Sequence, residues 1–189
     1  MPNIVLIILA VVVAAIVGLV IVIAMRPAAF QIERSNSVVA PPAAVFEYVN
    51  DLHNWEAWSP WAKIDPMMKT TYEGPAAGPG SSYAWNGNSK VGQGRMTILD
   101  SRANEVVHIK LQFLRPFAAT NDVEFTFKPE ASETAVTWRM TGKNNFMLKA
   151  FGLFMSMDKM VGKDFEKGLA QLKTQFEGTH QETAIGQNT

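Results

Sequence analysis

The chain has 189 residues, 48% of them hydrophobic and 18% charged, which is enough to bury one core and short for two ordinary domains. Lys plus Arg and Asp plus Glu stand at 17 each, so no basic excess draws the chain to nucleic acid, and no nucleic-acid partner is expected. The absence of Cys removes disulfides, zinc–thiolate sites and thiol nucleophiles together, while leaving the compartment open.

Residues 4–25, IVLIILAVVVAAIVGLVIVIAM, carry no charged or strongly polar side chain. At 1.5 Å rise per residue a helix of that length crosses the ~30 Å hydrocarbon core of a bilayer. A cleaved signal peptide is the alternative, but MPN supplies no Lys or Arg and the apolar run exceeds the usual ~7–15 residue signal core. The expectation is therefore a single-pass anchor formed by residues 1–26. Arg26 and Arg34 follow the span and only the α-amino group precedes it, so the positive-inside rule puts the rest of the chain on the cytoplasmic side. Gly18 has no second glycine four residues away, so no small-residue dimerisation motif is present and the oligomeric state stays open.

Residues 27–35 read as a juxtamembrane connector that runs into FQIERSNSVVA, whose extended and β-branched character predicts a first strand. In PPAAVFEYVNDLHNW, Pro41 and Pro42 suit a first helical turn, and Val45, Val49 and Leu52 recur at helical spacing. Ser59-Pro60 ends any helix that continues from Trp55, because a residue before proline is pushed out of the α region. Between those limits HNWEAWSPW places Trp55, Trp58 and Trp61 at intervals of three, a concentration that suits a core, a ligand wall or a membrane interface.

Residues 68–142 change to strands and turns. Gly74, Gly78 and Gly80 punctuate one turn and Asn86-Gly87 predicts a hairpin, while neither stretch matches a phosphate-binding loop. Strict alternation follows in VHIKLQF, DVEFTFK and VTWRM. One face carries Val107, Ile109, Leu111 and Phe113, then Val123, Phe125 and Phe127, then Val136, Trp138 and Met140. The other carries polar groups, with cross-strand charge pairing expected among Lys110, Glu124 and Arg139. This period of two predicts an antiparallel sheet with one buried face and one wet face.

FMLKAFGLFMSM, residues 146–157, is too short to span a bilayer and too apolar for an ordinary solvated surface. From Asp158 onward Val161, Phe165, Leu169, Leu172 and Phe176 form a helical stripe, with Gly178 as the expected stop and a polar tail at 179–189.

The stretches APPAAVFEYVNDLHNWEAWSPW, YEGPAAGPGSSYAWNGNSKVGQGRM, VEFTFKPEASETAVTWRMTG and DKMVGKDFEKGLAQLK, in that order, resemble the START-like superfamily, also called SRPBCC, in its bacterial polyketide cyclase/dehydrase-like branch. The likeness runs from about residue 34 to 178 and places the domain at 36–178. It implies an α+β helix-grip fold, a curved antiparallel sheet wrapped around a long C-terminal helix with a cavity between them. It also implies a bacterial origin, hence the inner membrane. On this fold Trp55, Trp58 and Trp61 are divided between sealing the core and shaping the cavity edge.

Expected cavity residues are these three tryptophans with Tyr83 and Trp85, together with Ile109, Leu111, Phe113, Val123, Phe125, Phe127, Trp138 and Met140 from the strands. Phe151, Phe154, Met157 and Phe165 face them from the helical end. An ordinary solid core would use the same residues. His53, His108 and His180 show no metal-ligand spacing, and no metal or cofactor is expected. Arg95 and Arg139 are the polar candidates, with Asp122 and His108 behind them, although alternation sends such groups outward; Ser59, Ser81 and Ser82 lack a visible base. Three functions remain open. They are a membrane-anchored module binding a lipid-like or aromatic small molecule, a cyclase/dehydrase-like enzyme, and an accessory membrane protein with a filled core.

Overall fold

The computed structural model describes residues 2–153 and 156–185. Helix α1, Pro2–Met25, holds a stretch, Asn3–Met25, that is long and apolar enough to cross a membrane, and its side chains are exposed except for Ile23 in the last turns. Strand β1, Ala29–Val38, begins inside the expected connector, leaving only residues 26–28 between helix and sheet. Helix α2, Pro42–Asn50, buries Val45, Phe46 and Val49; a 3-10 turn at Leu52–Asn54 and the single turn of α3, Trp55–Trp58, follow.

Six further strands complete one antiparallel sheet: β2 Lys69–Glu73, β3 Ser82–Asn86, β4 Gln93–Arg102, β5 Val106–Arg115, β6 Ala119–Glu130 and β7 Glu133–Lys143. Their spatial order is β1-β7-β6-β5-β4-β3-β2, so consecutive strands are neighbours and only β1 joins the far edge. Then come α4, Phe146–Phe151, capped by the Asn145 side chain accepting from the Leu148 N–H at 2.9 Å, and α5, Met157–Ile185. This is a helix-grip α+β fold, and α5 continues past Gly178 instead of stopping there.

Asn86-Gly87 does not make a two-residue hairpin. The β3–β4 connection is a loop closed by Gly87 N–H to Gly92 O at 2.9 Å, and the buried Asp65 carboxylate accepts from Asn88 N–H at 2.7 Å. That long-range acceptor outcompetes the local turn preference.

The face of the sheet toward α5 holds the core. Phe125 lies opposite Trp138 and Val123 opposite Met140 in the β6–β7 register. Trp138 stacks on Phe165 of α5 with ring centroids 4.0 Å apart and planes within 8°. Gly168, one turn farther, permits that approach, because a Cβ there would come within 2.8 Å of the Trp138 ring. The helix is also tied electrostatically. Arg34 Nη1 donates to Asp158 at 2.9 Å and Nε to Glu166 at 2.7 Å, and the guanidinium lies across Gly162, where a Cβ would collide with it. These bonds raise the Arg34 pKa above its ordinary value, and the Arg34 hydrogen bond holds the Asp158 carboxyl below its own.

Candidate functional site

Helix α5 packs on β1 and on α3, touches β7, and scarcely meets β2 to β5. The inner face is therefore divided. Beneath α3 and α5 the aromatic side chains form a continuous solid: Trp58 lies 5.6 Å from Trp138 and 5.9 Å from Phe125, and Trp55 lies 4.7 Å from Trp58. Trp55 is fixed by its indole N–H, which donates to Val49 O at 2.9 Å. Of the residues expected to line a cavity, Trp55, Trp58, Phe125, Trp138 and Phe165 are packed against one another here, with Ile109, Val123 and Met140 buried among them. Phe127 sits farther along, edge-on to Phe46 of α2 at 5.8 Å.

Farther out the cover thins: Ile98 on β4 and Val107 and Ile109 on β5 are still buried, but Tyr83, Trp85, Met96, Leu111 and Phe113 are half-buried. Trp85 stacks with Tyr83 at 6.0 Å and meets Phe113 edge-on at 5.9 Å; Tyr72 on β2 extends the row, 5.2 Å from Tyr83. The sequence permits this because Trp85 lies over Gly94, where any Cβ would run into the indole, and its N–H is held by Val91 O at 3.1 Å. Trp61 closes the side nearest the core, half-buried and 5.8 Å from Trp138, and Met157 is half-buried at the start of α5.

Polar groups on this face are few. Burial pushes the Tyr83 phenol up to about 12, with the neighbouring Tyr72 and Glu56 adding to it, and burial raises Tyr72 likewise, helped by Glu56 and Asp51. Both phenols are therefore proton donors at neutral pH. Asn121, near the start of β6, is only 5% exposed and pairs in register with Leu111 and Gly142. Gly142 makes the room, since a Cβ there would meet Asn121 and come within 2.8 Å of the Phe30 ring. At the rim His53 stacks on Tyr72 with centroids 4.1 Å apart, and its Nδ1 lies 2.8 Å from Asp51 Oδ1.

Several expected residues lie elsewhere. Arg95 is on the outer face, 2.8 Å from Glu73, beside a depression of about 530 Å³ that includes Lys69, Gln93 and Gln112. Arg139 is also outside, 2.6 Å from Glu33 and 3.3 Å from Glu124; His108, not Lys110, stands opposite Glu124, and Lys110 faces Asp122. Period-two alternation dictates both placements. Phe151 is 57% exposed on α4 and forms no part of the wall, and Phe154 lies outside the described residues. Among the described residues no cluster of His, Asp or Glu is arranged to hold a metal ion.

A helix-grip sheet with a sealed aromatic core on one side and an open aromatic strip on the other defines a class of small domains built around an inner face. The chain belongs to the polyketide cyclase / dehydrase and lipid transport family, whose model matches residues 29–177. Solved structures share the fold at low identity. Protein CV1439 from Chromobacterium violaceum is 13% identical with a TM-score of 0.57, covering 78% of this chain and 96% of its own. The KanY protein gives 15%, 0.59, 81% and 99%. DynU16, from the dynemicin biosynthetic locus, gives 16% and 0.54 over 78% of this chain and 47% of its own. No curated protein matches the chain.

Proposed function

We propose that this chain is a single-pass, membrane-anchored module that binds a lipid-like or aromatic small molecule against the open half of the inner sheet face. One observation carries the reading: α5 leaves Tyr83, Trp85, Met96, Leu111 and Phe113 half-buried beside a fully sealed core. An apolar lining with few polar groups is the usual composition of a small-molecule site. Asn121 and the two phenols would orient a polar end of the ligand, each able to donate a hydrogen bond to it. Residues 3–25 as a bilayer span would hold this face beside a reservoir of hydrophobic molecules.

The test is mass spectrometry of solvent extracts from the purified full chain and from Leu111→Trp, which fills the strip. The expected result is a small molecule recovered with the wild type and absent from the variant, while annular lipid is equal in both. Equal recovery of every component would refute the reading.

A second reading, proton-transfer catalysis, is favoured by the Asp51–His53 pair at the rim. A carboxylate on Nδ1 leaves Nε2 free to exchange a proton with a molecule lying on Tyr72. Its signature would be chemical conversion of the extracted molecule that His53→Gln abolishes without loss of binding.

A further inference from the structure

We infer that the end of the sheet where α1 enters is a bilayer-docking face, in which α4 and the β5–β6 hairpin insert apolar side chains among anionic headgroups. The inference rests on reading α1 as a membrane span and extends the contact well beyond it.

Topology places the pieces together. The start of β1 pairs with the end of β7, Ala29 opposite Lys143, so the connector from α1 and the entry to α4 leave the sheet at one end. The start of β6 pairs with the end of β7, Asn121 opposite Gly142, and with the end of β5, Ala119 opposite Phe113. The β5–β6 hairpin, residues 116–118, therefore turns at that same end. Helix α4 packs on α1, and Lys149 Nζ donates to the free carbonyl of Ala24 in the last turn of α1 at 3.2 Å. A helix docked on the last turn of a membrane span sits at the depth where that span leaves the hydrocarbon. The connector of residues 26–28 is too short to lift the domain clear, since three residues reach about 10 Å at full extension.

The exposed side chains at this end fit that depth. Among the described residues, Leu114, Phe117, Phe146, Met147, Phe151 and Leu153 make up most of the large apolar side chains exposed beyond α1. The charges fit it as well. The stretches 26–32, 113–121 and 141–153 contain Arg26, Arg115, Lys143 and Lys149 and no carboxylate. At the opposite end the β4–β5 and β6–β7 turns carry Glu105, Glu130 and Glu133. Apolar side chains interspersed with these cations, with Glu105, Glu130 and Glu133 at the far end, match an anionic leaflet. A depression of about 470 Å³ between Arg26, Lys149, Phe30 and Met157 opens on this face; the one carboxylate on its lining, Asp158, is paired with Arg34, and the space would admit one lipid headgroup.

The test uses the full chain in phosphatidylglycerol-containing nanodiscs, and the Cys-free background makes it clean. Single-cysteine variants Phe117→Cys, Phe151→Cys, Ser132→Cys and Val12→Cys carry a nitroxide whose collisions with oxygen and with a water-soluble nickel chelate are compared. The expected result is severalfold exclusion of nickel at 117 and 151 relative to 132, with position 12 deeper still. Discs of phosphatidylcholine alone are expected to raise nickel access at 117 and 151 but not at 12. Nickel access at 117 and 151 equal to that at 132, with 12 still protected, overturns the docking face and leaves the anchor standing. Full nickel access at position 12 overturns both. Indifference to lipid charge overturns the headgroup pairing.

Discussion

The division of the inner face into sealed core and open strip is tested most sharply by truncating one tryptophan from each. Trp138 is 2% exposed and its ring lies within 6.2 Å, centroid to centroid, of Phe165, Phe125, Trp58, Trp61 and Trp55. Replacing a buried Trp by Ala costs about 3–5 kcal/mol in transfer and cavity terms. Ring-pair geometry adds about 0.5–1.5 kcal/mol per pair, although these overlap. Trp138→Ala should therefore lose about 5 kcal/mol, a large share of the ~5–15 kcal/mol that holds such a domain folded. Trp85 is half-buried, with two ring neighbours and one hydrogen bond, and Trp85→Ala should lose only about 1–2 kcal/mol. At roughly 3–4 °C per kcal/mol for a domain of this size, the two midpoints should fall by about 15–20 °C and about 3–8 °C. Near-ultraviolet circular dichroism of the full chain in nanodiscs follows the domain without interference from α1. A loss below about 2 kcal/mol for Trp138→Ala, or equal losses for the two variants, would mean that no sealed core exists and that the rings line a yielding space.

Gly94→Ala should cost about 1–3 kcal/mol and abolish ligand recovery, because the new Cβ would collide with the Trp85 ring and lie 2.5 Å from the backbone carbonyl of Gln112; thermal unfolding and extraction read the two effects. Asn121→Leu removes the buried amide proposed to orient the ligand, so the molecules extracted with the purified chain should shift toward ones lacking a polar end. Stability should also fall in acid. The Asp158 carboxyl is held below its unfolded value by Arg34, so its contribution is whole above the ordinary carboxylate pKa of about 3.9 and is lost as pH drops through the lower folded value. Asp158→Asn should flatten that acid limb of the midpoint-against-pH curve and leave the rest of its shape unchanged.

How far the sequence discloses this molecule depends on the range over which each feature is decided. The alternation in β5, β6 and β7 is local, and it assigns inner and outer residues correctly down to Arg139 on the wet side. The same pattern carried two steps before Val123 would have put Asn121 on the inner face, and carried two steps past Met140 would have put Gly142 beside it; neither residue looks like a wall residue by type. The first strand is read from Phe30, one residue short of its start at Ala29, which is held by pairing with Lys143, more than a hundred positions away. The resemblance implies a division among the three tryptophans, but which of them seal the core is decided at long range, where Trp55 and Trp58 meet Phe125 and Trp138 while Trp61 meets Phe165 of α5.

What decides where α5 comes to rest is Arg34, which the sequence offers only as a charge after an apolar segment. Its side chain crosses Gly162 to reach Asp158 and Glu166, one turn on either side, and so pins the first half of α5 to β1 at the edge of the sheet. A helix held at that edge cannot also cover β3 to β5, and the open strip is the geometric remainder. The pinned segment follows directly on α4, and α4 is bonded to the last turn of α1. On the proposed reading, the elements that bound the strip on its anchor side are those that touch the bilayer, so a change in how α4 sits among headgroups would alter access to the inner face without any movement of the sheet.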